Sequence, residues 1–455
     1  MGVVLLSIVC FVLILTILVV VHEGGHAVVA RLCGVRVTEF FVGMPFGPQI
    51  AKRSSRSGIT YGATLALLGG YTKIAGMAAE RDPRGPLVLA LVNARGTVTV
   101  EEVARVLDCE PNEAAEALAL LADWGSIEEV WPDGVSHGRH DLPNRYRTVR
   151  RDAQGRTIYD RHHDFAALEA TEAGQPYRPA VSADVFFEQE RGRTYGGVGV
   201  GKRLAILVAG VACNILLALV LLAGYYMAAG IPVVTGIDPA IQSVVEDSHA
   251  AAAGLEPGDE IVGVNGIAVD TPEQAADALA GIRGAGPVDL TFVHEGVERH
   301  ATVDVGAHDT LGVYFGYATQ THHPGLGEAL GYALDYTGMV AQSVASLLIP
   351  SQAGEVLQQS SGVVGIASLT HDAVVEGVGT VVVLAAMLSM SLGWMNLLPI
   401  PPLDGGKVLI ELVQVVVRRP ISMRVQAIAN MVGISLFLLL FFYMVMQDVA
   451  RIAGV

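Results

Sequence analysis

Val3 to Val21 reads VVLLSIVCFVLILTILVVV, nineteen residues without a charge, and runs directly into His22-Glu23-Gly24-Gly25-His26. That length is close to the roughly 20 residues a helix needs to cross a bilayer, where every backbone polar group must be satisfied within the segment. The segment is therefore expected to be a helix, and one that ends in three ionisable side chains. A signal peptide is disfavoured, because neither a basic leading region nor a small-residue cleavage site is present. Three further runs qualify as spans: Leu204 to Ala229, Val378 to Leu398 and Ala427 to Met446. A fifth, Leu326 to Ile349, is broken by Glu328, Asp335 and Gln342 and reads as interfacial. The expected fold class is a polytopic α-helical membrane protein with about four transmembrane helices, in keeping with 52% hydrophobic and only 16% charged residues.

Cationic residues near span ends are retained on the cytoplasmic side. Residues 31 to 203 carry 22 of the 29 Lys and Arg, and the loop 399 to 426 carries Lys407, Arg418, Arg419 and Arg424. Residues 231 to 310 carry only Arg283 and Arg299 against 14 Asp and Glu. The long insert and last loop are thus expected in the cytoplasm, with the acidic domain and both termini outside a bacterial cytoplasmic membrane. The net charge of −16 argues against nucleic acid as a partner. Cys10, Cys33, Cys109 and Cys213 show no CxxC spacing, so neither disulfides nor a cysteine metal site is expected.

This divides the chain into 1–34 (first helix), 35–78, 79–132, 133–203, 204–230 (second helix), 231–310, 311–376 (interfacial), 377–406 (third helix), 407–426 (cytoplasmic loop) and 427–455 (fourth helix). In 35–78, Val/Thr/Tyr-rich stretches separated by Gly, Pro and Ser predict a membrane-associated β-hairpin with a free edge. In 79–132, helix signals at Leu87 to Ala94, at Val100 to Leu107 behind Thr99, and from Pro111 to Trp124 precede a strand at Ile127 to Val130, a winged-helix-like order. Its third helix has no Lys or Arg, which favours a cytoplasmic protein partner over DNA. Residues 133–203 read as an Arg-rich linker. In 231–310, Gly254-Leu255-Glu256-Pro257-Gly258-Asp259 before a strand and an Asn265-Gly266 turn resembles the peptide-binding loop of bacterial protease PDZ domains. Gly254, Leu255, Gly258 and Asp259 would then receive a peptide or protein C-terminus.

HEGGH is an HExxH. Residues four apart share a helix face, so His22 and His26 can reach one Zn²⁺ while Glu23 addresses the water it activates. Such a site needs a third protein ligand. Asn396-Leu397-Leu398-Pro399-Ile400-Pro401-Pro402-Leu403-Asp404-Gly405-Gly406 lies at the cytoplasmic end of the third span, as HEGGH does for the first, and Asp404 would complete a His₂Asp set. The pairs His162-His163 and His322-His323 point apart and predict no second metal site.

HEGGH, GGYTKIAGM, Ala209 to Asn214 (AGVACN), the PDZ-like string and NLLPIPPLDGG follow in this order, and as a set they resemble the site-2 proteases, zinc intramembrane proteases, in their bacterial PDZ-containing branch. The resemblance implies one Zn²⁺ on His22, His26 and Asp404, with Glu23 as base. It implies that the β segment ending at Gly69, Gly70 and Tyr71 holds the substrate strand, and that Asn214 and Asn396 orient substrate. The chain departs from the family where Val211 replaces a proline and where Gly362 to Ile366 reads GVVGI. The expected activity is cleavage, within the lipid bilayer, of a single-pass membrane protein such as a pre-trimmed anti-sigma factor. Two rivals stand beside it: clearance of signal-peptide remnants, and a catalytically silent PDZ membrane scaffold, against which an intact Glu23 argues.

Overall fold

A computed structural model describes residues 2–43, 48–64, 69–77, 82–132, 142–166, 170–282, 286–305, 310–419 and 421–453. Residues 65–68 and 78 of the predicted β segment, 79–81 of the predicted insert, 133–141 and 167–169 of the predicted linker, and 306–309 of the predicted PDZ region lie outside the described residues. The chain divides into two units, residues 1–223 with 330–455, and residues 224–329.

The first unit opens on helix α1 (Gly2–Leu32). Val4, Leu5, Ile8, Val9 and Leu13 are exposed along it, a lipid-facing surface. Strands β1 (Val37–Val42), β2 (Gln49–Arg53), β3 (Thr60–Thr64) and β4 (Gly70–Ile74) follow. They form more than the expected hairpin: a four-stranded sheet in the order β2-β3-β1-β4, with β1 parallel to β3. The parallel pairing arises because β2 returns the chain before β3 is laid beside β1, and it leaves β4 as an edge strand. Val35, Val37, Ile59, Ile74, Tyr195, Ile206 and Leu207 form one core where this sheet meets the end of α1.

The insert contains α2 (Gly85–Arg95), β5 (Thr97–Thr99), α3 (Val100–Leu107), α4 (Pro111–Asp123), β6 (Ile127–Val130), β7 (Arg145–Thr148) and α5 (Ala183–Arg191). Thr99 and Glu102 form a reciprocal capping box at the start of α3, and Pro111 opens α4, so local sequence sets both helix starts. Residues 145–191 are not a linker. Strand β7 lies between β5 and β6, and Phe186 and Phe187 of α5 pack into the insert core with Leu89, Leu118, Leu121 and Trp124. The segment is poor in apolar runs because charge orders it. Arg36, 1% exposed, makes a two-pronged bond to Asp160 (2.8 Å each) and reaches Glu190 at 2.8 Å. Arg151 grips Glu190 from the other side at 3.1 Å, and Arg193 reaches Asp160 at 2.9 Å. This network fastens the insert to the segment leaving α1.

Helix α6 (Val200–Ala229) runs unbroken through Val211. In the second unit, β8 (Ile231–Val244), α7 (His249–Ala252), β9 (Glu260–Val264), β10 (Ile267–Ala268), α8 (Pro272–Ala280), β11 (Pro287–His294), β12 (Val297–Asp304) and β13 (Val313–His322) build a sheet in the order β12-β11-β9-β8-β13, with β10 on β9. The predicted Asn265-Gly266 turn joins β9 to β10 with φ of 50° and 74°, which suits a tight hairpin. Ile241, Leu255, Ile261, Leu290, Phe292 and Val303 fill its core.

The first unit resumes within α9 (Leu326–Ser346) and continues through α10 (Pro350–Gln359), α11 (Val363–Glu376), α12 (Val378–Asn396), α13 (Asp404–Val417) and α14 (Met423–Ala453). Among the described residues, four helices are long and apolar enough to cross a membrane: Val3–Leu32, Val200–Ala229, Val378–Asn396 and Met423–Arg451. They coincide with the four expected runs, and α9 is not among them. The GVVGI stretch begins α11, where buried Asp448 of α14 accepts the backbone N–H of Gly362 (3.2 Å) and Gly365 (2.8 Å). A carboxylate thus satisfies orphan donors at a helix start.

Burial alone would raise the carboxyls of Glu190 and Asp160, but the guanidiniums of Arg151 and Arg36, and of Arg36 and Arg193, hold both below the usual carboxylate range. Their stabilisation is therefore complete above the unfolded values near 4 and is lost as pH falls toward the lower folded values. Glu190→Gln leaves buried Arg151 without its carboxylate and takes one of two from Arg36, and is expected to destabilise the insert by about 3–5 kcal/mol at neutral pH. Limited proteolysis checks this: residues 145–191 of the variant should be cut at pH 7, those of the parent only in acid.

Candidate metal centre

His22 and His26, one turn apart on α1, and Asp404, at the start of α13, meet at one point. All three are buried, 7–8% exposed. The Nε2 atoms of both histidines lie 3.0 Å from Asp404 Oδ2 and 3.3 Å from each other. Three lone-pair atoms converge there, an arrangement that a cation between them makes favourable. Tetrahedral ligands about 2.0–2.1 Å from a zinc ion lie about 3.3 Å apart, so the donor set fits. Among the described residues this is the cluster of His, Cys, Asp or Glu suited to an ion.

The surroundings orient each donor. His26 Nδ1–H donates to the Ile206 carbonyl at 2.7 Å, which leaves Nε2 bare toward the centre. The Asn214 amide nitrogen stands 3.4 Å from His22 Nδ1, while its buried Oδ1 has no partner. Exchanging the two amide atoms lets His22 Nδ1–H donate to Oδ1. Lys407 Nζ donates to Asp404 Oδ1 at 3.2 Å, and so Oδ2 faces the imidazoles.

Helices α1 and α6 approach closely because glycines face each other's helix. A methyl on Gly210 of α6 would stand 2.8 Å from His22 Cε1 and closer still to His26 Nε2, and one on Gly25 would meet the Ala209 carbonyl at 2.7 Å. Sequence reasoning missed Gly210, although the small residues of AGVACN are a signal for tight helix contact.

A cavity of about 180 Å³ joins Glu23, His26 and Asp404 to Gly70, Tyr71 and Thr72 of β4. Thr72 Oγ1 donates to the Glu23 carbonyl at 3.0 Å, tying the edge strand to the helix. Tyr71 stacks on Phe41 and donates to Glu39 at 2.8 Å. Gly69 precedes β4, and its carbonyl accepts from Gly43 N–H at 2.5 Å. Asn396 is not brought to this cavity's lining; its amide donates to Leu392 O, one turn back, at 3.0 Å. In the second unit Leu255 belongs to the core, Asp259 accepts from Glu256 N–H at 2.8 Å and lies 2.6 Å from His294 Nδ1, and Gly254 and Gly258 take φ of 77° and 101°.

The model of Peptidase family M50 matches residues 10–440. The chain belongs to peptidase family M50. It is 29% identical over 459 residues to "Probable protease eep" of Enterococcus faecalis, covering 98% of this chain and 99% of that one. It is 26% identical to "Zinc metalloprotease RasP" of Geobacillus kaustophilus, with 98% of each chain covered, and 24% identical to the protein of that name from Bacillus licheniformis, with 98% and 99% covered. The buried His22, His26 and Asp404 cluster is the first place to test for metal. Gly210→Ala is expected to push both imidazoles off the shared point and to lower metal affinity by about 10–100-fold. Metal content of the purified variant after dialysis against a graded chelator series checks this.

Proposed function

We propose that this protein is a zinc-dependent intramembrane endopeptidase of the site-2 protease type, cutting single-pass membrane proteins in a bacterial cytoplasmic membrane. The observation that carries the reading is the meeting of His22, His26 and Asp404 at 3.0–3.3 Å beside Glu23 in a cavity walled by an edge strand. His22, His26 and Asp404 would hold the ion, which supplies Lewis acidity toward a peptide carbonyl and water. Glu23 is the base: its carboxylate takes a proton from the attacking water and passes it to the departing amine. Asn214 holds the His22 tautomer, a role its contact favours over the substrate-orienting role suggested by resemblance.

A helical substrate conceals its own carbonyls, so it must unwind before it is cut. The outer edge of β4 offers backbone groups to an extended segment, and Gly70 and Tyr71 lie where that segment would pass Glu23. Asn396 would contact substrate through the amide oxygen or the second N–H that its bond to Leu392 leaves over. The second unit, read as an extracytoplasmic PDZ domain, would capture or exclude the outer stump of a pre-trimmed substrate such as an anti-sigma factor. The α2-β5-α3-α4-β6-β7 order supports the winged-helix-like reading of the insert, with a protein partner in the cytoplasm.

The test uses full-length protein in detergent, a tagged single-pass reporter and elemental analysis. The parent should carry one zinc and cleave. Glu23→Gln should keep zinc while cleavage falls about 10²–10⁴-fold, and Asp404→Asn should lose both. Undiminished cleavage by Glu23→Gln would remove the assigned base.

A further inference from the structure

A second cavity, of about 200 Å³, opens where α1 ends. Arg31 of the last turn of α1, Arg36, Arg156, Arg161 and Arg193 line it, against the single carboxylate of Asp160. We propose that this cavity is a binding site for the phosphate of an acidic phospholipid headgroup, held where the catalytic helix leaves the membrane and the insert begins.

Charge makes the first argument. The buried network behind the cavity sets three guanidiniums (Arg36, Arg151, Arg193) against two carboxylates (Asp160, Glu190), so it is short of one negative charge. Arg156 is matched by Asp152 at 2.8 Å. Arg31 and Arg161 face the same space, and no carboxylate is paired with either among the described ion pairs. A cavity with this excess of guanidinium suits an anion that accepts several charge-assisted bonds at once, and a phosphodiester does so.

Depth makes the second. Arg31 falls in the last turn of α1, which carries no Lys or Arg before it and no other ionisable side chain outside HEGGH except the thiol of Cys10. Lys202, at the start of α6, donates to the Cys33 carbonyl at 3.1 Å. Two spans therefore begin or end their charge at one level, the level of headgroups. Rigidity makes the third: Arg36 and Asp160 are buried and doubly bonded to each other, so the wall is formed in advance. A lipid phosphate there would bridge Arg31, on the helix that carries His22 and His26, to Arg161 of the insert. The site does not depend on the assigned proteolytic chemistry, only on α1 and α6 being membrane spans.

Delipidated full-length protein, titrated in neutral detergent and followed by native mass spectrometry and thermal unfolding, tests the site. Phosphatidylglycerol should add one molecule per chain and raise the unfolding temperature, whereas phosphatidylcholine should not. Arg31→Ala with Arg161→Ala should weaken that uptake by roughly tenfold or more, Arg31→Lys with Arg161→Lys should largely retain it, and the exposed control Arg105→Ala should leave it unchanged. Equal uptake of phosphatidylcholine by the parent, or undiminished phosphatidylglycerol uptake by the double alanine variant, would overturn the proposal. Inorganic phosphate producing the same thermal shift at the same concentration would overturn the lipid assignment in favour of a free anion. The comparison of the two lipids needs only the parent protein, so it decides the matter even if the double variant does not fold.

Discussion

Two imidazoles and a carboxylate converge within 3.3 Å of one another with little access to water. Such a cluster is costly without a counter-charge, and it persists only where packing on every side prevents the groups from separating. Much of the first unit follows from that requirement. Gly210 and Gly25 let α6 and α1 close on the histidines, the Ile206 carbonyl fixes one ring and Asn214 meets the other, and Lys407 turns the carboxylate. The core of Val35, Ile74, Tyr195 and Leu207 then holds the sheet against the base of these helices, which brings an edge strand to the same cavity.

The second organising force is ionic. The insert is joined to the rest of its unit through Arg36, which no apolar patch could replace at that position without taking a guanidinium from both buried Asp160 and buried Glu190. A pair of this kind contributes specificity of docking more than raw stability: the two-pronged geometry of Arg36 on Asp160 admits one orientation of the insert. The excess guanidinium left over is the origin of the basic cavity beside it.

The parts of the fold legible in the sequence were those governed by local rules. Uncharged runs set the four spans, the Thr99 and Pro111 signals set the starts of α3 and α4, and Asn265-Gly266 set a turn. The HExxH period placed His22 and His26 together, and matched membrane depth was enough to bring Asp404 to them. What escaped was whatever depends on partners distant in sequence with no periodicity. Residues 145–191 have few apolar runs and read as a linker, yet Glu190 is wholly buried because arginines at 36 and 151 neutralise it. The β segment read as a hairpin because pairing of β1 with β3 in parallel leaves no local mark. Gly210 carried no chemistry of its own, and its importance lies only in the space it leaves.

His22 and Asp404 are 382 residues apart in the chain. During synthesis the histidine pair is made first and waits, without the carboxylate that completes the cluster, while 382 further residues are added. A chain terminated before Asp404 therefore leaves a helix that bears HEGGH but lacks the carboxylate beside it. The cluster closes only when α13 has emerged, so a nascent chain cannot assemble it before that segment is made.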